Sequence, residues 1–169
     1  EKIYRKWCAE NTLFLNVAND IDVDTMIRMD SIYYDDHSFP NETNKYRSKF
    51  QQNFLNSLIQ EFLSIRWLLF DSIQQSREKV HISDDKYLRE NKRPNIYSFR
   101  TEMLKTVYRL SYSLFDKIAY FLNHYLNLKI DNYKTNFKTI WFVQEDIKKP
   151  LKNVFKNIKK NDPLKALYW

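Results

Sequence analysis

Seven polar residues in "RLSYSLFDKIAYFLNHYLNL" could handle a phosphate or a proton: Arg109, Tyr112, Ser113, Asp116, Tyr120, Asn123 and His124. At 3.6 residues per turn they fall within one stripe, with Leu110, Leu114, Ile118, Phe121, Leu122 and Tyr125 largely opposite. A histidine can carry a proton near neutral pH, and an arginine can hold charge that develops on a phosphate. These are the residue types that bind or cleave a phosphodiester. The plain alternative is a solvated helix face with ordinary charge pairs. Two tyrosines are rather apolar for such a face, so the stripe is expected to be a partly buried polar site.

Arg66 is the second candidate, set among large apolar residues in "FLSIRWLLFDS". A buried guanidinium needs a partner, because leaving it unpaired costs several kcal/mol. One reading packs its stem at a helix seam and leaves its head in water. The other pairs it with a carboxylate, Asp116 or Glu61, or frees it to grip a phosphate at two points. Asp116 is the acid best placed to meet it across two helices.

Other motifs say less. "DDHS", Asp35 to Ser38, offers metal-ligand types, but with three histidines in all a solvated loop is the better reading. "NET" at Asn41 matches a glycosylation acceptor without any sign of secretion. "DIKKPLKNVFKNIKKNDP" reads as a helical pattern with Ile147, Leu151, Val154, Phe155 and Ile158 on one face and a break at Pro150, the lysine-rich part after it being an amphipathic helix. It could lie on a membrane or on RNA, but such a helix more often caps a core.

Composition narrows the classes. The 169 residues suit one domain and include no glycine at all, against an ordinary usage of about 7%. That absence removes the phosphate-binding P-loop, the dinucleotide fingerprint and the glycine-flanked nucleophile elbow, each of which needs backbone only glycine supplies. It also disfavours tight hairpins, leaving an all-α protein. The single cysteine, Cys8, cannot form an internal disulfide and suits a reducing, cytoplasmic setting. No apolar run is long enough to span a membrane. A net charge of +7 with 17% aromatic residues suits nucleic acid or another anionic partner, although codons of an AT-rich genome would inflate the same residues. Neither a methionine nor a signal peptide opens the sequence, so the chain is expected to be part of a longer protein.

The elements follow from periodicity. A short helix is expected from the start to about Asn11, with Ile3, Tyr4, Trp7 and Cys8 on one side. Another is expected near Asp22 to Met29, before a loop broken at Pro40. From about Thr43 to Gln75 apolar residues recur at three and four, predicting a long helix that bends or ends early. A charged connection over 76–96 leads to a second long helix, from near Ser98 to about Leu128, with Glu102 in its first turn. "FKTIWFVQ" is a short apolar segment, and "NDPLKALYW" should dock on the body. The expected fold is an up-and-down helical bundle of two long antiparallel helices with shorter helices around them.

Five blocks in this order resemble the HEPN superfamily: "RKWCAENTLFLN", "QEFLSIRWLLFDS", "YSLFDKIAYFLNHYL", "FKTIWF" and "DPLKALYW". They span essentially the whole chain and are most similar to a bacterial branch found at the C-terminal end of larger proteins. The resemblance implies an up-and-down bundle that often dimerises through its long helices, and a role in RNA cleavage during stress or antiviral defence. In that superfamily an arginine, four to six residues and a histidine form a composite, metal-independent site where two protomers meet. The chain departs from that motif, because none of His37, His81 and His124 follows an arginine at that spacing. "REKVH", Arg77 to His81, is one residue short.

The expected function is an RNA-processing domain, in its most specific form a metal-independent endoribonuclease with a divergent site. From chemistry and spacing, His124 is the proton carrier and Arg109 and Arg66 contact phosphate. Asp116 and Asn123 orient them, and Lys117 and Tyr120 touch RNA. No cofactor or metal is expected. The expected partners are RNA, a second copy and other domains of the parent protein, with no membrane. The competing readings are a non-catalytic module that dimerises, binds RNA or regulates its parent, and a helical protein-interaction domain.

Overall fold

A computed structural model describes residues 2–16, 30, 45–74, 81–84, 98–156 and 166–168. The α-helices are α1 (Lys2–Glu10), α2 (Lys45–Gln74) and α3 (Phe99–Tyr125). Among the described residues there is no β-strand, only one isolated antiparallel bridge between Phe142 and Leu151. The fold is all-α. Both long helices lie within their expected spans, but α2 does not end early as expected: it runs unbroken for 30 residues. Neither contains proline or glycine, so nothing interrupts the backbone ladder. The helix expected near Asp22 to Met29, the "DDHS" and "NET" motifs and most of the charged connection lie outside the described residues.

Helix ends show how a chain without glycine turns. α1 closes with Leu13 N–H on the Cys8 carbonyl at 2.9 Å and Thr12 N–H on Ala9 at 3.2 Å. α3 closes the same way, Leu128 on Asn123 at 3.0 Å and Asn127 on His124 at 3.3 Å. This is the Schellman arrangement, which places one residue in the left-handed region, usually glycine. Here Thr12 and Asn127 take that place, each with φ of 51°. Asparagine tolerates it; a β-branched threonine does so under strain.

The chain divides into two compact units, Glu1–Ser48 with Leu63–Val107, and Lys49–Phe62 with Tyr108–Trp169. In the first, α1 packs on the later turns of α2. The Tyr4 ring meets Trp67 at 4.8 Å and Phe70 at 5.0 Å, while Trp7 meets Phe70 at 5.3 Å. Cys8, Ile65, Phe70 and Val107 are buried there. Arg100 Nε donates to the Ser72 carbonyl at 2.8 Å, joining the end of α2 to the start of α3. The buried Asp84 carboxylate accepts from His81 N–H at 2.7 Å and Phe99 N–H at 2.6 Å. It thereby satisfies donors at a helix N-terminus, where negative charge is favoured.

In the second unit α2 and α3 run antiparallel. Glu61 pairs with Lys117 at 2.7 Å, Phe54 stacks on Phe121 at 6.0 Å and Phe50 meets His124 at 5.5 Å. The core holds Ala119, Leu122, Ile140, Trp141 and Phe155, so "FKTIWF" is a core-forming turn. The segment after Pro150 corrects one expectation. Over its described part it is not an amphipathic helix: Val143 N–H bonds Pro150 carbonyl at 3.0 Å and Lys152 N–H bonds Trp141 carbonyl at 2.9 Å. Only a short 3-10 turn, Asn153–Phe155, follows. The backbone at Pro150 is claimed by the bridge, and proline offers no N–H to continue a helix. Phe155 is fully buried while Val154 and Ile147 stay half exposed, so the supposed apolar face is split.

Candidate functional site

Arg66 sits on α2 in the first unit at 5% exposure. Its Nη1 and Nη2 donate to the two Asp30 carboxylate oxygens, each at 2.7 Å. Nη1 also donates to the Leu13 carbonyl at 2.8 Å, and Nε to the Tyr4 hydroxyl at 2.8 Å. The carboxylate it meets is therefore Asp30, not Asp116. Burial alone would raise the Asp30 pKa, but hydrogen bonds from Arg66 and the Leu15 N–H, with the guanidinium charge, hold it below the ordinary value. Burial likewise raises the Tyr4 hydroxyl and Cys8 thiol pKa values, against the opposing charge of Arg66. A guanidinium so enclosed anchors α1 and its following turn to α2. It is not presented to a phosphate.

The stripe on α3 also differs from expectation. Arg109, Tyr112, Ser113, Asp116 and His124 are exposed, Tyr120 is half-buried, and only Asn123 is buried. It is a solvent-facing stripe with one buried member. Asn123 Nδ2 donates to the Ile130 carbonyl at 2.8 Å and to Thr135 Oγ1 at 3.2 Å, while its Oδ1 accepts Ile130 N–H at 3.2 Å. An amide used from both ends clamps the chain after α3. The Asp116 carboxylate accepts the Phe137 N–H at 3.0 Å. Lys117 Nζ holds both Glu61 carboxylate oxygens at 2.7 Å. The His124 ring lies 5.5 Å from Phe50 and 6.3 Å from Tyr120. Of the seven candidate site residues, Arg66 belongs to the first unit and the others to the second.

Two features were not singled out in the sequence. Tyr108, next to Arg109, is exposed, and its hydroxyl donates to Tyr112 at 3.0 Å. That hydrogen bond raises the Tyr108 pKa. Its sequence signal is plain afterwards: two tyrosines four apart on a helix are neighbours. The second feature is the distribution of charge. The first unit carries fifteen Lys and Arg against fifteen Asp and Glu, whereas the second carries thirteen against six. The whole net charge of +7 therefore resides in the second unit. Among the described residues no cluster could hold a metal ion, and no helix is long and apolar enough to cross a membrane.

No curated protein and no solved structure matches the chain significantly. The model of one family, described as LA2681-like HEPN, matches residues 27–169, from just before Asp30 to the last residue. The match takes in α2, α3 and the second unit but leaves α1 and the "RKWCAENTLFLN" block outside it. An all-α fold with two long helices agrees with that match over most of the chain, and the chain belongs to the LA2681-like HEPN family.

Proposed function

We propose that this HEPN module acts on RNA, in the cytoplasm and as part of a larger protein serving stress response or antiviral defence. The partition of charge carries the reading: one unit is neutral and the other holds an excess of +7. A polyanion is drawn to such a surface through phosphate contacts that release counterions. Binding is the action the geometry supports best. Arg66, one of the three expected catalytic residues, and both orienting residues, Asp116 and Asn123, are engaged in holding the fold, while Lys117 is paired with Glu61. The test is RNA affinity measured over a range of salt. A log–log slope of several units supports the reading, and salt-independent or absent binding overturns it.

Endoribonuclease activity is the second reading, favoured by His124 and Arg109 both being exposed on the basic unit's long helix. They are fifteen residues apart, about 22 Å along the axis, so one phosphate cannot touch both within a protomer. Cleavage through them requires a second copy to bring its own α3 alongside. An isologous antiparallel pair would set Arg109 of one protomer beside His124 of the other. The expected homodimer therefore belongs to this reading.

A further inference from the structure

Tyr108 and Tyr112 have no core to explain them: they are 63% and 61% exposed, one turn apart on α3 within the basic unit. Their ring centroids lie 4.8 Å apart with the planes tilted by 55°, and the hydroxyl-to-hydroxyl bond of 3.0 Å fixes the two rings against each other at the surface. Phe115 at 43% exposure extends the row by one more turn. It rests on Phe137 at 4.9 Å, so that end of the row is anchored. Exposed Arg109 and Lys138 are adjacent in sequence to Tyr108 and Phe137.

We infer that this row is a stacking seat for the unpaired bases of single-stranded RNA. The inference rests on the RNA reading above and adds the place of binding and the strand form. Each base has a flat face that an exposed aromatic ring can cover whatever the sequence, whereas a duplex keeps those faces inside its own stack. From Tyr108 to Phe115 the helix rises about 10 Å, and because the tyrosine planes are tilted by 55° each ring takes a separately splayed base rather than a continuous stack. Arg109, beside the rings, supplies charge for the backbone and a guanidinium plane that also stacks. Charge decides between RNA and a second copy as the occupant. Laying this face on its twin brings exposed Arg109 and Lys138 toward their like, whereas a nucleic acid strand neutralises them, so the α3 pairing of the second reading is a competing use of this face.

The experiment uses fluorescence anisotropy with a labelled oligouridine and a labelled RNA duplex of equal length, at low salt and across a salt series. Parent protein is compared with Y108A/Y112A, Y108F/Y112F and, as a charge control beside the row, K138Q. Both tyrosines are largely exposed, so the variants keep the fold, checked by circular dichroism. Oligouridine affinity should fall at least about tenfold in the alanine variant with an unchanged salt slope, and stay within about twofold in the phenylalanine variant. Duplex affinity should be the same for all three tyrosine forms, and the lysine control should flatten the salt slope instead. If the parent binds oligouridine and the alanine variant binds it equally well, the seat is wrong while the RNA reading survives. If the parent binds no RNA at low salt, both fall. A parent dimer in light scattering that the alanine variant loses would make the row a contact between copies, and would also overturn the seat.

Discussion

Arg66 and Asp30 meet in a two-point ion pair at 2.7 Å, with the guanidinium at 5% exposure and the carboxylate side chain at 25%. The pair joins Asp30, which precedes α2 in the chain, to the later turns of that helix, and Tyr4 and Leu13 close around the same guanidinium. Removing the acid strands a buried cation. Asp30→Ala should therefore cost about 3 kcal/mol in a urea melt, and Arg66→Met/Asp30→Leu should recover most of it. Asp116→Ala, which removes one exposed hydrogen bond, should cost under about 1 kcal/mol and add independently to Arg66→Met. Strong coupling between Arg66 and Asp116 would contradict this assignment.

The same pair sets an acid limit. The Asp30 carboxyl has a folded pKa below its ordinary value, so its contribution is present above about pH 4, the unfolded value. It is lost as pH falls from there through the lowered folded value, because in that window the unfolded chain binds the proton while the folded carboxylate does not, and the loss is complete once the folded state is protonated too. The urea midpoint of the parent should drop over that window. In Arg66→Met the Asp30 part of the drop should be much smaller. Equal acid profiles for the two proteins would show that the pair does not set the limit.

How much of this was legible in the sequence differs by element. The long helices were, because the three-and-four recurrence of Phe54, Leu58, Phe62 and Ile65 continues without a breaker. That Arg66 needed a carboxylate was also legible, from the apolar residues around it. Its partner was not: Asp30 is 36 residues upstream, and no local period connects an acid at that distance to a helix interior. On α3, Asn123 and His124 were read as one stripe, yet neighbours on a helix point about 100° apart. The stripe straddled the edge of the core, so one residue went in and the other out. The charge partition was hidden for a different reason. Net charge is a sum over the chain, and only the fold shows which residues belong to one unit.

Asn123 should prove a structural residue. Its amide satisfies both the N–H and the carbonyl of Ile130, just past a helix end held by a left-handed Asn127. Asn123→Ala leaves those two groups without their partner and should cost about 1–3 kcal/mol. Hydrogen exchange supplies the local check, since the Ile130 amide should lose protection beyond the global change. An unaltered Ile130 exchange rate at unchanged stability would return Asn123 to the list of residues available for chemistry.

The last prediction concerns cleavage itself. If the chain cuts RNA through His124 and Arg109, the reaction joins a ribose 2′-hydroxyl to the adjacent phosphate. The ends are then 2′,3′-cyclic phosphate and a 5′-hydroxyl. No metal is called for, so activity should survive EDTA. The 22 Å estimated between the two residues along α3 demands that each site draw on two protomers. Specific activity should therefore rise with protein concentration across the dimerisation range and then level off. His124→Ala and Arg109→Ala should each be inactive alone, and their mixture should regain part of the activity, because one of the two mixed sites then has both groups. Loss of activity with EDTA and its return with magnesium would remove the mechanism. A fully active His124→Ala protein would remove His124 from it. Mixed variants that stay inactive while forming dimers would show that α3 does not pair across the two-fold in this way, and the binding reading would stand alone.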